Sequence, residues 1–397
     1  MTRIIAFFLL RKKKVFAILS FMNITEIFLK DFRNFSELKL NLSDEVNIFL
    51  GRNAQGKTNI LESVQFTSQL RSRAAKLGEL IKLGQVESFV KVNFLRADVS
   101  QELAVELSAE KKSRRFFVNG NATRSKSFIG RLNTVMFSPE DLFMFKGAPA
   151  VRRQFLDNEI SQASPAYFEN LSSYNRLVTQ RNNLLKKIRE GTARKSNLAM
   201  WNEPLAEFAA AITTKRLISI DNLNTVANAI HRNISAQTEN LIVKYEISGL
   251  DFDIEKNFYD ATFKQKLFYW YGKNIVARTN ADIERGTTTF GPHHDDLKFF
   301  IDDRELKLFG SQGQFRTTAL SLKLSELEIL KKAADEYPVL LLDDVMSELD
   351  AERREQLLKF LTQKKIQTLI TATESKYFPS QNFGKIYTVN AGIVREI

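Results

Sequence analysis

Between Ile24 and Leu50 apolar and polar positions alternate in three runs, ITEIFLKDF, ELKLNL and VNIFL. Period-two alternation of this kind predicts strands, and SDE at 43–45 supplies the turn between the last two. The period then changes: NILESVQFTSQL, with apolar residues at Ile60, Leu61, Val64 and Phe66, reads as a helix. A second strand-rich stretch spans roughly 88–137 and includes FVKVNFL, ELAVELS and RRFFVNGNATRS, in which Asn119-Gly120 is a hairpin-turn signal. From 151 to 240 the chain is polar, basic and helix-patterned. Strands return near Leu241, and 286–308 reads as β. An apolar-patterned helix TALSLKLSELEIL, a strand VLLLD, a helix ERREQLLKFLTQ and a last strand TLITAT complete the pattern. No internal repeat, low-complexity tract or long linker interrupts it. The expected architecture is α/β, with one lobe built from residues 22–150 and 286–397 and a mainly helical lobe, 151–285, inserted between them.

Composition modifies this picture in two places. The 397 residues, 44% hydrophobic, suffice for two or three packed units, and no cysteine is present to form disulfides or thiolate metal sites, which fits a reducing compartment. The formal charge of +12 points to an anionic partner. However, the opening MTRIIAFFLLRKKKVFAILSF holds five of those net charges, leaving +7 for residues 22–397. Its two apolar runs are each far shorter than the ~20 residues of a membrane span, and no small-residue cleavage site follows. The reading adopted for 1–21 is an extension upstream of a true start at Met22; a membrane-surface anchor and a signal peptide are the alternatives. No stable membrane association is expected.

Two motifs carry the chemistry. Gly51, Arg52, Asn53, Ala54, Gln55, Gly56, Lys57 and Thr58 form GRNAQGKT, a GxxxxGK[ST] loop that follows a strand and opens a helix. Backbone N–H groups there would cradle the phosphates of ATP, Lys57 would meet the β- and γ-phosphates, and Thr58 would ligate Mg2+. Far downstream, VLLLDDVMSELD is a continuous apolar run, as a strand buried on both faces requires. Asp343 at its end would hold Mg2+, and Asp344 would polarise the attacking water.

A third stretch, GSQGQFRT, places Ser311 and Gln314 as an S-x-x-Q capping box. Capping does not account for Gly313, since glycine in a first helical turn costs up to ~1 kcal/mol against alanine. It is worth keeping where another group must approach the backbone closely. This chain's own phosphate loop already surrounds its nucleotide. The economical partner for Ser311, Gln312, Gly313 and Gln314 is therefore the γ-phosphate held by a second copy, in an ATP-dependent homodimer.

Basic residues are the candidates for DNA. Lys111, Lys112, Arg114, Arg115, Arg124, Lys126 and Arg131 form a series with no acidic residue among them. Arg152, Arg153, Arg176, Arg181, Lys186, Lys187 and Arg189 form another, for which a solvated helix face is the ordinary reading. His293, His294, Asp295 and Asp296 are consecutive; on a strand they would alternate faces and so would not share one metal ion.

A glycine loop, a serine-glycine helix start and an acidic strand end, in that order around a helical insertion, resemble ABC-type head ATPases. MFSPEDLFMFKGAPAVRRQFLD (136–157), YNRLVTQRNNLL (174–185) and ERGTTTFGPHHDDL (284–297), with GSQGQFRT and LLLDDVMSELD, narrow the resemblance to the RecF family of bacterial recombination mediators, across everything from Met22 onward. The resemblance implies a P-loop ABC-type head with a mixed sheet and weak, DNA-stimulated ATP hydrolysis. It also implies binding at single-stranded gaps and duplex junctions, work with RecO and RecR to load RecA, a link to the SOS response, and a cytoplasmic, nucleoid-associated site of action. By position, Asn53 and Gln55 would shape the phosphate loop, and Asp350 of SELD would lie near the partner's nucleotide. Thr371 or Thr373 would occupy the γ-phosphate sensor slot. Two motifs depart from the family's usual pattern: GPHHDD has His294 where arginine is usual, and RSRAA (71–75) lacks a hydroxyl. Transporter-like and SMC-like ATPase subunits are the competing readings; the interval 151–285 is too short for a long coiled-coil arm.

Overall fold

The structure is a computed structural model describing residues 22–70, 76–254, 259–378 and 383–397. Residues 1–21 and the RSRAA stretch lie outside the described residues.

Along the chain, β1 (Asn23–Phe32), β2 (Phe35–Asn41) and β3 (Val46–Leu50) precede α1 (Lys57–Gln69). There follow β4 (Glu87–Arg96), β5 (Val99–Ser108), β6 (Ser113–Val118), β7 (Asn121–Thr123), the single turn α2 (Ser125–Phe128) and β8 (Thr134–Phe137). Three helices come next, α3 (Pro149–Ala163), α4 (Pro165–Arg189) and α5 (Ala199–Ile234). Next come β9 (Leu241–Glu246), α6 (Ala261–Ala277), α7 (Thr279–Arg285), β10 (Asp296–Ile301) and β11 (Arg304–Glu305). The chain closes with α8 (Leu306–Phe309), α9 (Gln312–Ala334), β12 (Val339–Asp343), α10 (Val345–Glu348), α11 (Ala351–Lys364), β13 (Thr368–Ala372), β14 (Lys385–Asn390) and β15 (Ile393–Glu396).

Three sheets result. One is antiparallel, in the order β2-β1-β4-β5-β6-β7; one is the small β11-β10-β9; the third runs β15-β14-β3-β13-β12-β8. In the third, β14, β3, β13, β12 and β8 are parallel, and β15 closes the edge antiparallel to β14. This mixed sheet is the central layer, which explains its apolar runs. Ile48, Leu340 and Leu342 enter the core shared with the helices, while Phe49, Val339 and Leu341 enter the core beneath the antiparallel sheet. Strands with two buried faces cannot alternate with polar residues. β4, in contrast, alternates buried with part-exposed positions, because only one of its faces is covered.

Helix boundaries follow local chemistry. Pro149 and Pro165 open α3 and α4, where a missing N–H costs nothing, and Ser164 accepts from Tyr167 N to cap α4. Asn119 and Gly120 take φ of 48° and 75° between β6 and β7, the paired positive values of the expected hairpin turn.

Three expectations need correction. Only 296–301 and 304–305 of the stretch 286–308 are strand, and α6 and α7 occupy the interval before it. TTTFGPHHDD bonds to side chains rather than to a ladder: Thr288 and Thr289 bond to Asn182 and Asp282. His293 and His294 accordingly lie in a turn before β10, not on a strand, and both rings bond the Thr288 carbonyl oxygen. Finally, TLITAT is not the last strand, since the β14–β15 hairpin follows it. Each of those strands is six residues or fewer, too short for its alternation to stand out.

Candidate functional site

The phosphate loop leaves the end of β3 through backbone shapes that its residues make possible. Gly56 takes φ 109° and Ala54 φ 64°. A Cβ on Gly51 would stand 2.3 Å from the Val389 carbonyl oxygen, and one on Gly56 would strike the Asn34 side chain. Asn34 fastens the loop by donating to Gln55 O at 3.1 Å, while its Oδ1 accepts from Asn59. The Gln55 side chain accepts from Ala391 N at 2.7 Å, and Gly392 N donates to Gln55 O. The hairpin missed in the sequence is thus what Gln55 leans on. Asn53 and Arg52 are exposed.

Strand order brings the distant motif to this loop, since β13 alone separates β3 from β12. Lys57 is buried and its Nζ donates to Gly51 O at 2.8 Å and Arg52 O at 3.1 Å, with Asp344 Oδ2 at 3.9 Å. Thr58 Oγ1 donates to Asp343 Oδ1 at 2.8 Å, and Thr371 Oγ1 donates to the same oxygen at 2.9 Å. Thr371 also accepts from Asp344 N, so one buried hydroxyl orients both aspartates. Thr373 is exposed, in a cleft it shares with Arg52. Asp344 sits in the left-handed region, φ 52°, at the start of α10. Burial pushes its carboxyl above the usual range, Lys57 opposes that shift, and Asp343 adds to it. The oxygen donors Thr58 and Asp343 suit a hard divalent cation that keeps water and phosphate as its remaining ligands. Among the described residues no cluster of three or more His, Cys, Asp or Glu forms a metal site by itself.

The Ser311 turn has a separate set of partners. Ser311 Oγ accepts from Gln314 N at 3.1 Å, and Ser311 N donates to Gln314 Oε1 at 2.9 Å, completing the capping box. Ser311 and Gln312 are exposed. A Cβ on Gly313 would meet only Ser311 Oγ at 3.8 Å and Arg353 Nη2 at 3.9 Å, ordinary contacts, so its own chain does not require glycine there. Asp350 caps α11 and pairs with Arg353, whose Nε donates to Thr317 Oγ1 at 2.9 Å. Arg316 pairs with Glu348 at 3.6 Å. The SELD loop therefore flanks the Ser311 turn of the same chain.

The two basic series differ. Among the first, Arg114 donates to Leu70 O and lies over the Phe66 ring, Arg115 pairs with Glu106, and Lys126 pairs with Glu169. Among the described residues Lys111, Lys112 and Arg124 form no ion pair, and all three are exposed. The second series divides: Arg176, Lys186, Lys187 and Arg189 are exposed, as on a solvated helix face, whereas Arg152 and Arg181 are not. Arg152 is buried and grips both carboxylate oxygens of Asp296 at 2.8 Å. Arg181, with no exposed surface, donates to Asp282 and Thr288. Arg153 donates to Asp295 O. Arg216, unremarked in the sequence, holds Asp157 with two nitrogens and also reaches Pro292 O and Tyr245. Burial and its neighbour His294 depress His293 to a pKa of about 4, so it stays neutral here. RRQFLD, YNRLVTQRNN and TTTFGPHHDD thus meet in one buried polar network that ties α3, α4 and α5 to the entry of β10.

Comparison with known proteins shows what the chain is similar to. The family model of the RecF/RecN/SMC N-terminal domain matches residues 23–394. A "DNA replication and repair protein RecF" from Heliobacterium modesticaldum is 39% identical over 376 residues, covering 94% of this chain and 98% of that protein. A solved structure of the recombination mediator protein RecF with ATP, of the RecFOR pathway, superposes with a TM-score of 0.83 at 34% identity, covering 95% of this chain and 100% of that one. An Smc head domain from Pyrococcus furiosus, 14% identical with a TM-score of 0.53, covers 95% of this chain and 96% of its own, and shares the fold.

Proposed function

The chain belongs to the RecF family, and from that premise we propose that it is an ATP-gated DNA-binding protein of replication and recombinational repair, acting as a homodimer that closes on two ATP molecules. The observation that carries this reading is the convergence of Lys57, Thr58, Asp343, Asp344 and Thr371, with Lys57 Nζ 3.9 Å from Asp344, beside a loop shaped to receive phosphates. Lys57 binds the β- and γ-phosphates, exchanging its carbonyl partners for phosphate oxygens. Thr58 and Asp343 hold Mg2+, which when bound offsets the charge on the transferring phosphoryl group. Asp344, held by Thr371, accepts a proton from the attacking water. Its raised pKa brings it closer to the working pH of a general base, although Lys57 limits the shift.

Ser311 and Gly313 complete the site of a second copy, with Gln312, Gln314 and Asp350 at the same interface. A turn with an exposed serine, and a glycine that its own packing does not need, supports this arrangement. Hydrolysis is slow, is stimulated by DNA and resets the dimer. Lys111, Lys112 and Arg124 supply sequence-independent phosphate contacts at gaps and junctions. Residues 22–150 and 286–397 act as the ATPase lobe and 151–285 as the inserted lobe. RecO and RecR are the expected partners in loading RecA, within the SOS response, at the cytoplasmic nucleoid. No helix among the described residues is long and apolar enough to cross a membrane.

Retention of a gapped duplex on a filter, with ATP, with ADP and without nucleotide, tests the reading. Binding that requires ATP is expected; equal binding in all three conditions would contradict it.

A further inference from the structure

The capping residue Gln314 is itself held from outside its helix. Its Nε2 donates to Glu239 Oε1 at 2.9 Å, and Glu239 lies 75 positions away, just before β9. The second carboxylate oxygen of Glu239 faces His231 Nε2 at 3.2 Å, on α5. His231 is fully buried, and its Nδ1 reaches Ser321 Oγ at 3.2 Å, two turns further along α9. A closed path therefore runs from the Ser311 turn through Gln314, Glu239 and His231 back to the same helix.

The path constrains orientation. A side-chain amide can turn over, presenting NH2 where its oxygen had been. Only one of the two orientations lets Gln314 Oε1 accept from Ser311 N while its Nε2 meets a carboxylate. With the amide reversed, NH2 would face the Ser311 N–H and oxygen would face oxygen. We propose that Glu239 is a positioning residue for the Ser311 turn: it locks the Gln314 amide, and so fixes the hydroxyl and N–H groups that this turn offers to the γ-phosphate held by a second copy. The proposal rests on the dimer reading above and adds to it a residue of the insertion that neither the phosphate loop nor VLLLDD contains.

The experiment follows ATP-driven association of the full chain by light scattering and ATP-analogue binding by fluorescence, for wild type, Glu239→Ala, Gln314→Glu and the pair Gln314→Glu/Glu239→Gln, with Ser311→Arg as reference. In Glu239→Ala, nucleotide affinity stays within about twofold, as for a change remote from the phosphate loop. Association weakens by about tenfold or more, the scale of one lost hydrogen bond to a charged group. Gln314→Glu keeps a competent capping box but sets two carboxylates against each other, so association falls. The pair restores it, because the amide introduced at position 239 can donate to the carboxylate introduced at position 314. That rescue separates positioning from a general loss of packing. Association of Glu239→Ala equal to wild type, or a pair no better than Gln314→Glu, overturns the proposal while Ser311→Arg remains monomeric. If Ser311→Arg also associates normally, the dimer reading falls and this proposal falls with it.

Discussion

The phosphate-loop edge of the mixed sheet and the helices α3 to α5 are both rich in charged groups, but they use them in opposite ways. At the edge, Lys57 rests on two backbone carbonyl oxygens and stands 3.9 Å from Asp344, an arrangement that a triphosphate can displace. On α3, α4 and α5, Arg152, Arg181 and Arg216 are buried and grip Asp296, Asp282 and Asp157 at hydrogen-bonding distance. The first set is available to a ligand because its partners are weak. The second is closed because each cation already has its anion. A basic residue thus indicates an anionic ligand only where the fold withholds an internal partner, and by that criterion Lys111, Lys112 and Arg124 are better DNA candidates than Arg152 or Arg181.

The largest effect that sharpens this contrast is expected in the closed set. Arg181→Ala leaves Asp282 buried and unpaired, and should cost about 3–5 kcal/mol in urea unfolding. A loss under 1 kcal/mol would place Arg181 with the open groups. Next comes the edge: Asp344→Asn should reduce ATP turnover about 100-fold or more. A carboxyl whose folded pKa is raised stabilises the protein below its unfolded pKa and loses that contribution as pH rises through the folded value. Ionised Asp344 is therefore a burden at neutral pH, and the asparagine variant should melt no lower than wild type. Unchanged turnover would remove Asp344 from the chemistry.

A smaller effect is expected from replacing Lys111, Lys112 and Arg124 together by alanine. The slope of log affinity for DNA against log salt should flatten by about 2–3, near 0.9 for each lost phosphate contact. An unaltered slope would move the DNA path elsewhere. The smallest concerns Glu159, buried beside Glu326 and held up to a pKa of about 8, mainly by burial. Its contribution to stability should fade as pH rises from the ordinary carboxylate range to about 8, and Glu159→Gln should flatten that part of the melting-temperature profile.

What could be read in advance depended on whether the chemistry was local. Gly51 to Thr58 must be contiguous to wrap a phosphate, and VLLLDD must be an unbroken apolar run because its strand has two covered faces, so both were legible. The pairing of Arg152 with Asp296 spans 144 positions, and nothing in either neighbourhood announces the other. The same distance problem hid Glu239 behind Gln314 and Ala391 behind Gln55. Residues 286–295 depart from the β expectation for another reason: Thr288 and Thr289 direct their hydrogen bonds to the Asn182 and Asp282 side chains rather than to a strand ladder. Arg114 is exposed, yet its guanidinium is engaged by Leu70 O, a partner 44 positions away that its own neighbourhood does not announce.

The central claim is that the triphosphate is shared between two copies. Its most direct test is the mass of the full chain in solution, with and without saturating ATP, for wild type and Ser311→Arg. Sharing predicts that ATP doubles the mass of wild type and leaves the variant, which still binds nucleotide through Lys57, at that of a single chain. A wild type that stays single while saturated with ATP and DNA, and still hydrolyses ATP at its normal rate, would contradict it.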